Sequence, residues 1–399
     1  MGNKNPKISF CMIAKNEERW IGRCLASVRD LVDEMIVLDT GSTDQTVRLA
    51  ESMDARVVPH VWKDDFSEAK NTAIRHASHE WILMLDADEA LEQEDIPLVR
   101  ELVKSTRFNA YSLVFLCPGP DQAVYRYRTM RLFRRGKVHF EDIVHERPII
   151  EGLAGISAVR VHHYGFNLEP EVMARKQKRN ESLLRKQIQQ NPENTFARAN
   201  LVRSLRIQKQ IDAMIREAES TLDIPDIPLF DRQLIGNDLA YGYLITNQLD
   251  KADRACQSML ADNPLHLDVR FILGAVRIRQ NRLDEAIACF RQFLSDRDSD
   301  KEQPELEGLI FDTYGYASRA WNNIGSCYLN TKRPQEAVEA FRRALELEQG
   351  NLLFYKNLAG ACLQNQHPGE ALQVLRRAEI LGIADDVVYQ SIKALTNAA

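Results

Sequence analysis

The chain has 399 residues, enough at roughly 100–200 residues per domain for two or three domains, and a short disulfide-stapled module is excluded. Hydrophobic residues are 44% and charged residues 27%, and no stretch approaches the roughly 18 apolar residues of a membrane span, which excludes a disordered chain and a helical membrane protein. With 52 Lys and Arg against 57 Asp and Glu the net charge is −5, so the chain is not built around nucleic-acid phosphates and any anionic ligand must be met locally.

The polar segment Met1 to Lys7 and the brief apolar run Ile8 to Ala14 do not read as a signal peptide. The 7 cysteines are widely spaced and contain no C-x-x-C, so neither a zinc cage nor a disulfide framework is indicated. A reducing, cytoplasmic location is expected. From the N-terminus, Ile8 to Ala14, Glu34 to Asp39, Ala55 to Val61 and Trp81 to Asp86 read as strands, separated by helical patterns near Arg19 to Asp30, Asp44 to Met53 and Ser67 to Ala77. That alternation predicts an α/β domain with a doubly wound, mostly parallel sheet. Ligands of such sheets bind at the carboxyl ends of the strands, and both positions there, after Leu38 and after Leu85, are aspartates.

Asp39 precedes a sharp turn at Gly41, and Ser42, Thr43 or Asp44 is placed to cap the following helix. Lying before the turn, Asp39 is poorly placed to cap and is assigned to a polar ligand. The apolar strand from Trp81 ends in Asp86-Ala-Asp88; along an extended chain residues i and i+2 point the same way, so the two carboxylates are expected to share one ligand. Two hard carboxylates suit Mn²⁺ or Mg²⁺, either of which leaves positions open for diphosphate oxygens. The basic run Arg126 to Arg135 offers cations for a diphosphate or forms a solvated strand face. A basic helix from Ala174 to Gln190 reads as a solvated connector, with a membrane-surface role as the weaker alternative.

Beyond about residue 170 nearly every segment has a helical period. Trp321, Ile324, Gly325, Tyr328, Ala337 and Phe341 reproduce the tetratricopeptide pattern W-x2-L-G-x2-Y…A-x3-F. Repeats are placed from about 233, 267, 318 and 352, with an insertion at about 301–317 and a degenerate unit from Asn194 to Leu222. The pattern residues are read as core, and the concave face of such an array binds peptide or protein.

Four segments in order, Cys11-Met-Ile-Ala-Lys-Asn-Glu-Glu18, Val37-Leu-Asp-Thr-Gly-Ser-Thr-Asp44, Trp62-Lys-Asp-Asp-Phe-Ser-Glu-Ala-Lys-Asn71 and Leu85-Asp-Ala-Asp-Glu89, resemble the family 2 glycosyltransferases of GT-A fold over about residues 7 to 165. Within that family the chain is most similar to the sublancin-type peptide S-glycosyltransferase branch, which joins such a domain to tetratricopeptide repeats. The resemblance implies transfer of a sugar from a nucleotide sugar with inversion, often onto a peptide or protein. It implies that the backbone around Ile13 and Ala14 and the carboxylate of Asp39 hold the nucleotide base and ribose. Lys70, which the resemblance places at the base or phosphate of the nucleotide, stands where the family usually has Arg, retaining charge without the fork geometry. Asp86 would meet ribose or metal and Asp88 the metal.

An inverting transfer also needs a base on the far side of the sugar. Phe140-Glu-Asp-Ile-Val-His145-Glu146 resembles the V-H-E segment of the branch, and Val161-His-His163-Tyr-Gly165-Phe166 its H-Y-G-Y. Glu146 is the expected base, with Asp142 and Glu141 as rivals; His145 orients acceptor or phosphate, and His163 is the expected third metal ligand.

The sequence therefore divides into a GT-A domain over 1–170, a basic helical connector over 171–193 and a tetratricopeptide-repeat domain over 194–399. The expected activity is metal-dependent transfer from a nucleotide-diphospho-sugar, UDP favoured, to a protein or peptide acceptor selected by the repeats, with homodimerisation as a second use of them. A cell-envelope glycan or lipid-linked acceptor is the first rival. A repeat scaffold with a non-catalytic first domain is the second.

Overall fold

A computed structural model describes residues 6–118, 124–165, 170–298, 313 and 315–398. The chain forms two compact units. Among the described residues, the first runs to Gln208 and takes in Asp223–Asp231; the second comprises Lys209–Leu222 and those from Arg232 onward. Phe166 and nearly all of the expected insertion at 301–317 lie outside the described residues.

The first unit opens with β1 (Ile8–Ala14), α1 (Ile21–Val28), β2 (Glu34–Asp39), α2 (Thr46–Ser52), β3 (Arg56–Pro59), α3 (Phe66–His76) and β4 (Trp81–Met84). The alternation read from the sequence is present, with strands three and four shorter than expected. There follow β5 (Glu89–Leu91), α4 (Ile96–Leu102), β6 (Ala110–Pro118), β7 (Val124–Arg134), β8 (Val138–Glu141), β9 (Arg147–Ile150), β10 (Ala154–His163), α5 (Pro170–Gln190) and α6 (Thr195–Ile207). Eight strands make one sheet in the order β3-β2-β1-β4-β7-β6-β10-β5, and β8 and β9 pair separately. The β1–β2, β2–β3, β1–β4 and β6–β10 pairings are parallel; β7 runs antiparallel between β4 and β6, and β5 antiparallel along β10.

Both faces of the sheet are covered, which is why its central strands are almost wholly apolar. Phe10, Met12 and Val37 pack with Ile21, Leu25 and Val99 on one side, while Cys11, Ile36 and Leu38 pack with Ala69, Ala73 and Ile74 of α3 on the other. This alternation follows from the two-residue period of a strand.

In the second unit α7 (Ile211–Leu222) is followed by α8 (Leu229–Ile245), whose residues from Arg232 on belong to this unit, and α9 (Leu249–Asp262). Then come α10 (Leu267–Arg279), α11 (Leu283–Arg297), α12 (Ala317–Asn330), α13 (Pro334–Leu347), α14 (Leu352–Gln364), α15 (Pro368–Ile380) and α16 (Asp386–Ala398). The first helices of successive pairs start at Leu229, Leu267, Ala317 and Leu352. At Gly325 an added Cβ would sit 2.7 Å from the Phe341 ring, and at Gly274 2.7 Å from that of Phe290. A glycine at this repeat position is what lets the paired helices approach. Among the described residues no helix is long and apolar enough to cross a membrane.

His266 caps α10, its ring nitrogen accepting from the Val269 N–H at 3.4 Å, and burial pushes its pKa down to about 4. A depressed folded-state value means that stability is full above the unfolded value of about 6.5 and falls as the pH drops through about 4. His266→Asn, which keeps a capping acceptor but does not titrate, should remove that part of the acid dependence in urea unfolding measured from pH 7 to 4. An unchanged pH slope would contradict this.

Candidate active site

The carboxyl ends of β1 and β2 lie side by side, with Ala14 registered opposite Asp39 and Ile13 opposite Leu38. Asp39 is buried, and its carboxylate accepts from the N–H groups of Gly41 and Ser42, each at 3.2 Å. Asp39 does not cap the following helix; its side chain folds forward over its own turn, as short acidic side chains do. Asp44 satisfies the first turn of α2 through the Thr46 N–H at 2.9 Å and also accepts from the Glu18 N–H at 3.2 Å. With Asn16 accepting from the Thr43 N–H at 2.8 Å and Glu18 from that of Gln45 at 3.0 Å, the loops after β1 and β2 are laced together.

The D-x-D reasoning from an extended strand does not hold. Strand β4 ends at Met84, and the chain turns before β5, closed by a 3.0 Å bond from the Glu89 N–H to the Asp86 carbonyl. The two carboxylates consequently meet different partners. Asp86 receives Lys70 Nζ at 3.3 Å on one oxygen and Arg131 Nη2 at 2.9 Å on the other. Lys70, only 2% exposed, also forms an ion pair with Glu146, and Arg131 bonds Glu89 at 3.0 Å. The result is a continuous charged row, Glu146–Lys70–Asp86–Arg131–Glu89.

Desolvation works against the charges of this row, and the neighbours decide the outcome. Arg131 and Lys70 hold the Asp86 carboxyl far below its usual range, and Asp86 and Glu146 keep Lys70 above its own. Glu89, buried at the end of the row, is pushed up to about 7 by burial and by Asp86, although Arg131 opposes the shift. Lys70, expected at the nucleotide, is thus a bridge between carboxylates. Arg131, one of the cations of the basic run Arg126 to Arg135, is tied to carboxylates, and Glu89 is a site residue visible in the sequence only as the residue after D-x-D.

The third motif builds this row. Asp65 caps α3 by accepting from the Glu68 N–H at 2.9 Å, which sets the helix so that Ser67 Oγ donates to the Asp142 carbonyl at 2.6 Å. The Asn71 amide exchanges two 2.8 Å bonds with the Phe140 backbone. Lys70, between these two clamps, is thereby directed at Glu146. The loop it holds is itself constrained: Asp142 and His145 are non-glycine residues at φ 75° and 57°. The Asp142 carboxylate is bound by Arg147 Nε at 2.7 Å, Asn194 Nδ2 at 2.9 Å and the Gln187 amide, so it serves as an anchor for this loop. His145 is exposed at the site and Glu146 half-buried.

Asp88 lies across the turn, 3.5 Å from Nε2 of His163. The antiparallel register that sets His163 opposite Glu89, with a 2.8 Å bond from the Tyr164 N–H to the Asp88 carbonyl, brings them together. Gly165 completes the fit, because a Cβ there would lie 1.8 Å from Asp88 Oδ2. Nδ1 of His163 is 3.1 Å from the Tyr127 hydroxyl. Burial acts to lower the His163 pKa, but its bonds to Asp88 and Cys117 and the charge of Glu89 raise it to about 10. Glu17, at the mouth of the same cleft, is pushed up to about 7 by burial and by Asp88 and Asp86.

Among the described residues no three His, Cys, Asp or Glu side chains converge as a metal cage. Asp88 and His163 nonetheless offer a donor pair that would suit a divalent cation: an oxygen and a ring nitrogen face each other, the second ring nitrogen is oriented by Tyr127, and a cation there would take the place of the proton that His163 shares with Asp88. Asp86 has both oxygens committed to cations.

Residues 9–158 match glycosyl transferase family 2, and residues 237–302 and 318–351 match tetratricopeptide repeats. The chain carries a family 2 glycosyl transferase domain followed by tetratricopeptide repeats. A TPR repeat-containing protein of Synechococcus elongatus is 41% identical over 147 residues, 37% of this chain and 36% of that one. The SPbeta prophage-derived glycosyltransferase SunS of Bacillus subtilis is 33% identical over 197 residues, 47% of each chain. The chain thus matches about half or less of the length of these relatives. Among solved structures, the APC/C hetero-tetramer Cut9-Hcn1 aligns with 56% of this chain and 40% of its own at 16% identity and a TM-score of 0.43.

Lys70→Met leaves the Asp86 and Glu146 carboxylates facing a buried apolar group. It should cost about 3 kcal/mol or more in denaturant unfolding, because one half of a buried pair is left uncompensated. Stability within 1 kcal/mol (~1) of the parent chain would contradict the charged row as described.

Proposed function

We propose that the protein is an inverting glycosyltransferase that moves a sugar from a nucleotide-diphospho-sugar, UDP favoured, to a protein or peptide acceptor selected by the repeats. The observation that carries this reading is the approach of His163 to Asp88, just beyond β4, in a domain that matches glycosyl transferase family 2 and whose parallel strands also deliver Asp39 at a carboxyl end. SunS, a glycosyltransferase by name, is similar to 47% of the chain, and a solenoid fused to the domain suits a polypeptide acceptor better than a small primer.

In this reading the backbone at Ile13 and Ala14 and the turn held by Asp39 receive base and ribose. Asp86, locked by Lys70 and Arg131, presents its remaining lone pairs to the ribose. Asp88 and His163 hold Mn²⁺ or Mg²⁺, which when bound neutralises charge on the departing diphosphate. Glu146 takes the acceptor's proton as the acceptor attacks the anomeric carbon from the face opposite the diphosphate, and His145 beside it orients the acceptor. Asp142 positions this pair by fixing the loop that carries them.

One assay tests the reading: sugar transfer and donor hydrolysis measured with UDP-sugars, Mn²⁺ and a panel of polypeptide acceptors. Asp88→Ala should abolish turnover and metal-dependent UDP binding. Glu146→Gln should lower transfer by roughly 10²–10⁴ while leaving UDP binding in place. A chain ending at Asp231 should still hydrolyse the donor and lose transfer to polypeptide. Full transfer by the shortened chain would overturn acceptor selection by the repeats, and full turnover by Asp88→Ala would overturn the site.

A further inference from the structure

The basic helix α5, expected as a solvated connector, belongs to the first unit and is docked on it. Leu183 and Leu184 are buried, and Gln187 accepts from the Ile143 N–H at 2.9 Å while its amide donates to Asp142. Those contacts fix the C-terminal half of α5 against the loop that carries His145 and Glu146. Two turns earlier the Arg179 guanidinium lies 5.1 Å from the centre of the Phe66 ring, at the start of α3.

Helical spacing then sorts the cations of α5. Met173, Gln177, Asn180, Leu184 and Gln187, spaced three and four apart, are its half-buried or buried face. Lys176 and Arg179 flank that face on the side of Leu183, whereas Arg175 and Lys178 lie on the opposite side. The charge of Lys176 is felt by Glu17, and that of Arg179 by His145 and Asp64. Two exposed cations of α5 are therefore neighbours of the site, Lys176 beside Glu17 and Arg179 beside Phe66 and His145.

The cations in the middle of the site are already committed to carboxylates, His163 to Asp88 among them. Lys70 and Arg131 are committed to Asp86, Glu146 and Glu89, and Glu17, Asp86 and Asp88 are acidic. Among the described residues Lys176 makes no ion pair or hydrogen bond, and Arg179 hydrogen-bonds only its neighbour Asn180, at 3.0 Å. We propose that Lys176 and Arg179 are donor-binding residues that contact the diphosphate of the nucleotide sugar from α5, opposite Asp88 and His163. The inference rests on the donor reading given above and adds to it a second, metal-independent source of positive charge.

The test is calorimetric binding of UDP, GDP, dTDP and uridine to the full chain, with and without Mn²⁺. Lys176→Ala/Arg179→Ala removes two exposed side chains and should weaken the nucleoside diphosphate that the parent chain binds by roughly tenfold or more, in either condition, because charge-assisted contacts are lost. Its uridine affinity should not change, and the slope of diphosphate affinity against salt should flatten. Arg175→Ala/Lys178→Ala, on the far side of the same helix, should bind as the parent does. Equal diphosphate affinity in Lys176→Ala/Arg179→Ala and the parent would overturn the proposal and leave the donor reading standing. A parent chain that binds none of the three diphosphates would overturn both.

Discussion

A lysine ammonium buried between two carboxylates organises the first unit. Lys70 is one of its largest fully buried side chains, and an ammonium is tolerated there only because Asp86 and Glu146 receive it. The two carboxylates come from different parts of the chain, one from the turn after β4 and the other from the loop after β8. Their shared cation fixes the distance between the side of the cleft where a donor would lie and the side where an acceptor would attack. Arg131 and Glu89 extend the same logic into the sheet, so the D-x-D turn is held from both ends. In the family pattern an arginine stands at position 70; a lysine makes two single contacts there and no bidentate fork, which suits a residue that must reach two partners.

The second constraint is a register. Strand β5 is only three residues long, yet its antiparallel pairing along β10 sets His163 opposite Glu89 and so presents the imidazole to Asp88. Gly165 keeps the following turn clear of that carboxylate. Asp39 thus depends on a parallel sheet, and Asp88 and His163 on an antiparallel seam, while α3 and α5 anchor the loop that carries Glu146.

The sequence makes the parallel half of the sheet legible because its strands are short, apolar runs separated by helical periods, and the repeats legible because Trp321, Gly325, Tyr328 and Phe341 recur at fixed offsets. The elements that build the chemistry lie elsewhere. Two-residue alternation suggests that Asp86 and Asp88 share a ligand, but the strand stops before them and a turn gives their carboxylates different partners. Asp142 ranked beside Glu146 as a base because both are acidic residues of one short segment; what separates them is the surroundings of Asp142, three donors drawn from residues 5 to 52 positions away. Nor does a run of lysines and arginines say which of them face a cleft. In α5 that follows from Leu183, Leu184 and Gln187, whose burial sets the rotation of the helix.

The central claim is that the two aspartates of the D-x-D have separate duties, Asp86 tied into the charged row and Asp88 paired with His163 for a cation. The most direct measurement is anomalous diffraction from crystals of the full chain grown with UDP and Mn²⁺. The account predicts one manganese peak bonded to Asp88 and His163, with Asp86 still held by Lys70 and Arg131. A manganese ion held by Asp86, with Lys70 displaced, would contradict it.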